Sequence, residues 1–313
     1  RFKADGAVLP LHRCGRVELH RHSEHLVWFD LQPDGVPDFI TIYIWLDEKN
    51  AIIETGPACA LEHLMEGIAA AGLAPDAIDW VLPTHIHLDH FGGGGHLLRE
   101  LPNARALVHP KALKHVLDPQ QLWEGSCAFL GPIAELYGEP LPIPRDRVAA
   151  VADGGVIDLG TTQFRALHTP GHAPHHVAWV ADREVFVGDA LGLWYPELNC
   201  GFPVTPPRYD HALALKSLDA LAALDAEWLH YTHFGPRPAG NGAAIAQVRE
   251  EFEAWLVLVT DGVATGEDAA ATMARLLTER PRLAQTEPGM GPHQAGTHLG
   301  SVRGMRGWLD AQS

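Results

Sequence analysis

A short run in the first third of the chain, HIHLDH, carries His85, His87, Asp89 and His90. It follows the apolar run IDWVLPT and precedes four consecutive glycines. Because side chains alternate along an extended segment, His85 and His87 face the same way and can bind one metal ion. The glycines let the backbone pass close to such a site. The run therefore predicts a strand that ends in a metal site, with Asp89 and His90 placed for a second ion.

Strand-like and helix-like patterns alternate through most of the chain. Runs such as FITIYIWL, HVAWVA and REVFVGD are typical of strands, whereas LEHLMEGI has apolar residues at helical spacing. Beyond Gly242 the patterns are helical. We predict an α/β catalytic domain over residues 1–240 and a helical C-terminal extension over residues 241–313. Residues 119–147 and 191–209 are rich in proline and aromatic residues, and we predict irregular segments there.

Composition narrows the classes of partner. The 313 residues are 46% hydrophobic, enough for a sizeable core. The formal net charge is −16 and no basic run occurs, so we expect no nucleic-acid partner. No run approaches the roughly 20 apolar residues of a membrane helix, and we expect no membrane partner. Four cysteines without CxxC spacing are typical of reduced thiols. We predict a cytoplasmic protein with a small-molecule substrate, and we leave a homodimer open.

Three later motifs offer further metal ligands, each where a strand gives way to a loop. His172 follows the turn TPG, Asp189 follows the apolar run VFVG, and His233 follows LHYT. Imidazole nitrogens and carboxylate oxygens suit Zn²⁺, and also Fe or Mn. The HIHLDH run alone would leave two ions short of ligands. We therefore expect these three residues to complete the site.

Taken together, the four motifs resemble the metallo-β-lactamase superfamily, in the same order and approximate spacing from about residue 27 to residue 235. The resemblance implies an αββα sandwich with a metal site at one edge, here followed by a C-terminal helical appendage. It assigns His85, His87 and His172 to one metal, Asp89, His90 and His233 to the other, and Asp189 to the bridge between them.

Hydrolysis is the reaction that the resemblance implies. Two divalent ions, Zn²⁺ or alternatively Fe or Mn, share a hydroxide that attacks a small ester, thioester or lactone. Asp89 is the expected catalytic residue, because it can bind metal and pass a proton to the leaving group. A different class in the same superfamily is a persulfide dioxygenase-like oxidoreductase with a single Fe. The complete second ligand set favours the hydrolase.

Two branches of the superfamily share additional features with the chain. The helical appendage looks like that of glyoxalase II, the hydroxyacylglutathione hydrolases. His233, however, is followed by Phe-Gly-Pro, where that family typically has an acidic residue. Quorum-quenching lactonases place a tyrosine just after the bridging aspartate, and here Tyr195 lies six residues beyond Asp189.

Aromatic residues of the two irregular segments, with one histidine of the C-terminal extension, are predicted to wall the substrate pocket: Trp123, Phe129, Trp194, Tyr195, Phe202 and His298. We expect His176 to orient the TPGH loop rather than to bind metal, and we leave open whether His293 reaches the pocket. A group near the N-terminus (His12, His20, His22 and His25) also looks metal-like. It lacks an aspartate, and we interpret it as solvated or core-lining.

Overall fold

The computed structural model describes residues 17–286 and 296–312. Its strands form two main sheets and one small hairpin, with helices on both outer faces. The strands are β1 (His20–Arg21), β2 (Leu26–Asp30), β3 (Thr41–Trp45), β4 (Asn50–Ile53), β5 (Ile78–Leu82), β6 (Arg105–Val108), β7 (Val148–Ala150), β8 (Val156–Asp158), β9 (Gln163–His168), β10 (Val177–Ala181), β11 (Glu184–Phe186), β12 (Leu193–Tyr195), β13 (Cys200–Phe202), β14 (Trp228–Tyr231) and β15 (Gly235–Pro238). The helices are α1 (Leu61–Ala70), α2 (Leu88–Phe91), α3 (Gly94–Glu100), α4 (Leu113–Leu117), α5 (Gln120–Leu130), α6 (Pro132–Tyr137), α7 (His211–Ala222), α8 (Ala243–Ala264), α9 (Ala269–Glu279), α10 (Pro281–Ala284) and α11 (Thr297–Asp310).

The first sheet has the order β1-β2-β3-β4-β5-β6-β7 among the described strands. Strands β1 to β4 pair antiparallel, and β4 to β7 pair parallel. The carboxyl ends of β4 and β5 therefore meet at the same edge of the sheet. Glu54 follows β4 there, and the HIHLDH run follows β5.

The second sheet has the order β15-β14-β11-β10-β9-β8. β11 pairs parallel with β14, and β9 runs in the same direction because β10 pairs antiparallel with both β9 and β11. The carboxyl ends of β9, β11 and β14 thus share one edge. His172, Asp189 and His233 follow these three strand ends, which brings residues far apart in sequence to one place.

The two sheets pack face to face through a core of large side chains. Tyr43 and Trp45 of the first sheet meet Phe164, Trp179 and Phe186 of the second, and each is at most 4% exposed. Burying a side chain of this size contributes about 1.5–3 kcal/mol. The indole Nε1 of Trp179 donates to the carbonyl oxygen of Pro83 (3.0 Å), and this bond fixes the sheets together just before the HIHLDH run.

Helices complete an α/β fold with four layers, the predicted αββα sandwich. α1, α3 and α4 pack on the outer face of the first sheet. α7, α8, α9 and α11 pack on the outer face of the second sheet. The predicted C-terminal helices are present, and they share one core cluster with the second sheet. The division of the chain at residue 240 stays a prediction.

The segment 119–147, predicted to be irregular, instead contains two helices. α5 begins after Pro119, and Pro132 is the first residue of α6. Proline is well tolerated at such positions, where the missing N–H has no helical acceptor. Gly131 lies between the helices with φ +57°, a conformation that glycine adopts without steric cost. The prolines and the glycine that suggested a loop therefore mark helix ends.

The second predicted irregular segment, 191–209, contains the hairpin of β12 and β13. It packs on α8, whose buried residues Ile245, Val248, Phe252 and Trp255 follow helical spacing. In the part of the chain that the structure describes, no helix combines the length and the apolar character needed to span a bilayer.

Candidate metal site

All seven predicted metal ligands meet where the strands of both sheets end. The loop after β5 and helix α2 supply four of them, and the loops after β9, β11 and β14 supply one each: His85, His87, Asp89, His90, His172, Asp189 and His233. We call this group the strand-end cluster. Its members are buried except His87 and Asp89, which are half-buried. The ligand sets assigned from the resemblance are thus brought together.

The first ligand set converges on a small volume. The Nδ1 atom of His87 lies 2.9 Å from Nε2 of His85 and 3.0 Å from Nε2 of His172. Nε2 of His172 lies 3.5 Å from Oδ2 of Asp189. Ligand atoms about 2.0–2.1 Å from a tetrahedral zinc ion are separated by about 3.3 Å. These spacings are close to that value.

The second set lies on the other side of Asp189. Nε2 of His90 and Nε2 of His233 lie 3.5 and 3.6 Å from Oδ1 of Asp189. The same two nitrogens lie 3.7 and 3.8 Å from Oδ2 of Asp89. Asp189 therefore presents one carboxylate oxygen to each set, which is the geometry of a bridging ligand.

Backbone carbonyl groups fix the orientation of two of the imidazole rings. Nδ1 of His172 lies 2.9 Å from the oxygen of Val204, and Nδ1 of His233 lies 2.6 Å from the oxygen of Phe39. A carbonyl oxygen only accepts, so each Nδ1 carries the ring proton. Each Nε2 then directs its lone pair into the cluster, as a metal ligand requires.

Glu54 orients two further rings from beneath. Its buried carboxylate accepts hydrogen bonds from the hydroxyls of Thr84 and Thr232 and faces Nδ1 of His90 at 3.2 Å. Because the Thr84 proton is given to Glu54, its oxygen is free to accept from Nδ1 of His85 (3.1 Å). Such outer contacts set the tautomer of a ligating histidine.

The sequence analysis missed Glu54. The available signal was an acidic residue directly after the apolar run NAII of β4. Glu54 also has φ +68°, a left-handed conformation that costs free energy outside glycine. The fold holds this strained residue beneath the cluster, which is typical of a functional position.

His176 occupies the orienting position predicted for it. Its Nε2 accepts a hydrogen bond from the backbone N–H of Asp189 (3.1 Å), and its Nδ1 lies 2.8 Å from the Thr169 hydroxyl. Gly188, with φ +48°, makes this approach possible: a Cβ there would lie 2.7 Å from Nε2 of His176. The contact fixes the backbone that carries the Asp189 carboxylate.

Electrostatics and unpaired atoms test whether the cluster fits cations. Burial opposes ionisation of Asp189, but His90, His233 and His172 hold its pKa well below the ordinary value. Burial and the neighbouring histidines hold the pKa of His85 well below its usual range. Oδ1 of Asp189 and Nε2 of His90 are buried and have no hydrogen-bond partner among the described residues. Such atoms are costly unless something binds them, so the residues fit divalent metal ions.

A cavity of about 1250 Å³ opens above the cluster. Of the residues predicted to wall it, Phe129 lies on its surface. The others lie elsewhere in the described structure: Trp123, Trp194, Tyr195, Phe202 and His298 are absent from the cavity lining, and Trp123 packs instead against the core beside the first sheet.

Packing explains why four of these residues point away from the cavity. Trp194 lies under the guanidinium group of Arg237, 4.0 Å from ring centroid to Cζ. Tyr195 of β12 packs against Phe202 of β13, and both side chains are buried. His298 is 1% exposed and lies beside Trp255. The pattern of aromatic residues did not distinguish a pocket wall from a second core layer.

A second group of histidines and a carboxylate lies at the edge of the sandwich. His22 next to β1 approaches Glu184 of β11 and His230 of β14, and we call these three the edge cluster. Nε2 of His230 lies 2.5 Å from Oε2 of Glu184, and Nε2 of His22 lies 3.4 Å from Oε1.

The other predicted histidines near the N-terminus take separate positions. His20 stacks on Trp28 (4.2 Å between ring centroids), and Nδ1 of His25 lies 2.8 Å from the carbonyl oxygen of Leu46. His12 and His293 lie outside the described residues.

The known proteins that the chain is similar to agree with this geometry. The profile of the Metallo-beta-lactamase superfamily matches residues 40–233. The "Metallo-beta-lactamase fold-containing protein ST1585" of Sulfurisphaera tokodaii is 28% identical over 208 residues, 65% of this chain and 76% of that protein. The "Hydroxyacylglutathione hydrolase" of Aeromonas hydrophila is 32% identical over 200 residues, 63% of this chain and 62% of that protein.

Solved structures give the same fold. The crystal structure of an archaeal superfamily protein, ST1585 from Sulfolobus tokodaii, has a TM-score of 0.59 and 26% identity, covering 70% of this chain and 81% of that one. The family protein TTHA1429 from Thermus thermophilus has a TM-score of 0.63 and 21% identity, covering 87% and 89%. The chain spans only 51% to 63% of the length of the hydroxyacylglutathione hydrolases that it matches.

Proposed function

Since the chain belongs to the metallo-beta-lactamase superfamily, we propose that it is a dinuclear metal hydrolase that cleaves a small ester, thioester or lactone. The observation that carries the proposal is the bridging position of Asp189, with one oxygen toward each ligand set. A single iron held by two histidines and a carboxylate would use only one of these oxygens. It would leave the second set of Asp89, His90 and His233 without an ion.

Two divalent ions held by these residues, Zn²⁺ or alternatively Fe or Mn, would supply an activated water as nucleophile and a Lewis acid for the carbonyl oxygen. The chain supplies the positioning. Glu54 and the carbonyl groups of Val204 and Phe39 hold the rings in one tautomer. His176 holds the backbone of Asp189.

Asp89 has a second role in the proposal. Its side chain is 23% exposed, against 4% for Asp189, and it lines the cavity. A carboxylate that borders both the ligand atoms and the cavity can accept a proton and deliver it to the leaving group. We therefore assign Asp89 as both ligand and proton relay.

The names of similar proteins bear on the choice among esters, thioesters and lactones. Relatives at about 30% identity are named hydroxyacylglutathione hydrolases, which favours a thioester. The residues after His233 (Phe234, Gly235 and Pro236) leave glutathione itself unassigned as the thiol.

The experiment is metal analysis combined with hydrolysis of a substrate panel. Protein produced without added metal should be analysed as isolated and again after loading with Zn²⁺; the loaded protein should bind about two ions per chain and hydrolyse at least one simple thioester, aryl ester or lactone. Treatment with a chelator should abolish the activity, and Zn²⁺ should restore it. One Fe per chain, with consumption of O₂ in the presence of a persulfide and no hydrolysis, would establish the dioxygenase-like alternative instead.

A further inference from the structure

The cavity above the strand-end cluster has an unusual charge for this chain. Only two carboxylates line it among the described residues, Asp89 and Asp189, and both belong to the cluster. Five lysine and arginine side chains also line it: Lys111, Lys114, Arg145, Arg208 and Arg303. The whole chain, by contrast, carries a formal net charge of −16. The cavity is thus a basic region in an acidic protein.

The cations come from separate parts of the fold and line the same cavity. Lys111 lies just before α4, Lys114 lies within it, and Arg208 lies in the turn before α7. Burial lowers the pKa of His115, and the charges of Lys114 and Arg208 lower it further, so both cations lie within electrostatic reach of this histidine, which also lines the cavity. Arg208 has φ +71°, a conformation that costs free energy outside glycine.

These cations have no counter-charge in the described structure. Lys111, Lys114 and Arg208 form no ion pair with the residues that the structure describes. Arginines elsewhere do: Arg183, Arg249, Arg275 and Arg280 each pair with at least one carboxylate. Because unpaired like charges repel, an anion bound among the cations that line the cavity would lower its free energy.

Apolar side chains form the rest of the wall. Leu117, Phe129 and Ile133 come from α4, α5 and α6. Phe129 is 45% exposed. Its ring lies close to Gly300 of α11, which also lines the cavity: a Cβ added to this glycine would lie 3.8 Å from the ring. A volume of about 1250 Å³ exceeds the roughly 300–1000 Å³ of most small-molecule sites. The space thus holds more than the bond to be cleaved.

We propose that the substrate carries an anionic group, a carboxylate or a phosphate, that Lys111, Lys114 and Arg208 bind while its ester or thioester bond lies at the strand-end cluster. This inference rests on the proposed function for the position of the reacting bond. The three side chains determine specificity, and they neither bind metal nor touch the reacting atoms. The net charge of the chain would otherwise repel such a substrate.

Binding of three thioethers, which cannot be hydrolysed, tests the proposal directly. S-hexyl-N-acetylcysteamine is neutral, S-hexylglutathione carries carboxylates, and S-hexyl-coenzyme A carries phosphates. Calorimetric titration of the zinc-loaded protein should show at least one anionic thioether binding about tenfold more tightly than the neutral one, as charge-assisted contacts provide. The difference should shrink as the salt concentration is raised to about 0.5 M.

Matched variants test whether the cations of the cavity cause the preference for anionic thioethers. The double variant Lys114→Gln/Arg208→Gln should lose the tenfold preference and keep its metal content. The control, Lys216→Gln/Arg105→Gln, removes the same charge from exposed residues outside the cavity and should keep the preference. Tighter binding of only one anionic thioether would support the proposal and identify carboxylate or phosphate as the group.

Two results would overturn the inference. One is equal binding of the neutral and anionic thioethers, or no binding of any. The other is an anion preference that persists in Lys114→Gln/Arg208→Gln, since the anion would then bind the metal ions themselves. The titration needs no turnover. Failure of the proposed function, with no ester, thioester or lactone cleaved, is therefore a separate observation.

Discussion

Two groups of histidines and carboxylates occur in the described structure, and they differ in where their lone pairs point. In the strand-end cluster, carbonyl groups and Glu54 take the outer ring nitrogens, as at His172, His233 and His90. The inner nitrogens are left to face one another and Asp189. In the edge cluster, the ligand-type atoms already bind each other, because Nε2 of His230 donates to Glu184 at 2.5 Å.

Residue type and proximity therefore do not make a metal site by themselves. In the edge cluster, and in each of three overlapping triples of the strand-end cluster, potential ligand atoms lie within 4.8 Å of one another. In the strand-end cluster the surrounding acceptors hold protons on the outside of the rings, so that unshared electron pairs converge. In the edge cluster the carboxylate accepts the imidazole proton, and the contact joins β11 to β14 as an ordinary hydrogen bond. We expect metal at the first and none at the second.

The largest expected effect comes from removing the bridge. Asp189→Ala should weaken the binding of both metal ions, because both ligand sets lose an oxygen. Hydrolysis should fall by at least about 10³-fold. His233→Ala should mainly remove one ion, since its Nε2 faces only the second set. Metal content after dialysis measures both. Retention of both ions in Asp189→Ala would contradict the bridging assignment.

Asp89→Asn should have the next largest effect. The amide keeps an oxygen of similar shape but removes the charge and the proton relay, so hydrolysis of alkyl esters should fall about 10²–10⁴-fold. Thioesters and aryl esters should lose less, because their leaving groups depart without a proton. Rates on the two substrate types, with metal content measured alongside, give the comparison. Equal losses at full metal content would leave Asp89 as a ligand only.

Matched changes at one glutamate in each cluster sharpen the contrast. Glu54→Gln should reduce metal affinity by about 10–100-fold, because the neutral amide supports Nδ1–H of His90 and the hydroxyls of Thr84 and Thr232 poorly. Glu184→Gln is the control and should leave the affinity unchanged. Competition with a zinc-binding dye measures both variants. An equal loss in both would remove the distinction between the clusters.

The smallest effect is on stability, and it depends on pH. Burial raises the pKa of Glu184, but contacts with His230 and His22 lower it below its ordinary value of 4.5. The ionised carboxylate therefore stabilises the fold fully above pH 4.5, and this contribution is lost as pH falls through the lowered pKa. Glu184→Gln should cost about 1 kcal/mol of unfolding free energy at about pH 7.

Thermal unfolding of Glu184→Gln and of the original chain, both between about pH 7 and about pH 3, measures this contribution. The gap between the two melting temperatures should narrow on acidification. A constant gap would show that the carboxylate charge contributes nothing to the edge cluster.

The sequence was enough to predict which seven residues come together, because each lies just past a strand that an apolar run indicates. His85, Asp189 and His233 are examples, and parallel strand ends necessarily share an edge. The fold class followed from the same runs together with the resemblance. The helices α5 and α6 were not predicted, since the prolines and the glycine at their ends suggested a loop and α5 is only partly buried.

Contacts between distant segments were the part that the sequence could not supply. Glu54 acquires its role only when β4 and β5 lie side by side, and the edge cluster forms only when β1 meets the second sheet. Trp194 and Phe202 were assigned to the pocket, but they lie buried in the β12–β13 hairpin, which α8 covers. Composition alone does not distinguish such a hairpin from an exposed loop.

Metal content of the reconstituted protein tests most directly the claim that converging lone pairs, and not residue type, define the site. The chain should be stripped with a chelator, reloaded with excess Zn²⁺, dialysed and analysed beside Glu184→Ala. We predict about two zinc ions per chain in both proteins. About three ions in the original chain, falling to two in Glu184→Ala, would contradict the account.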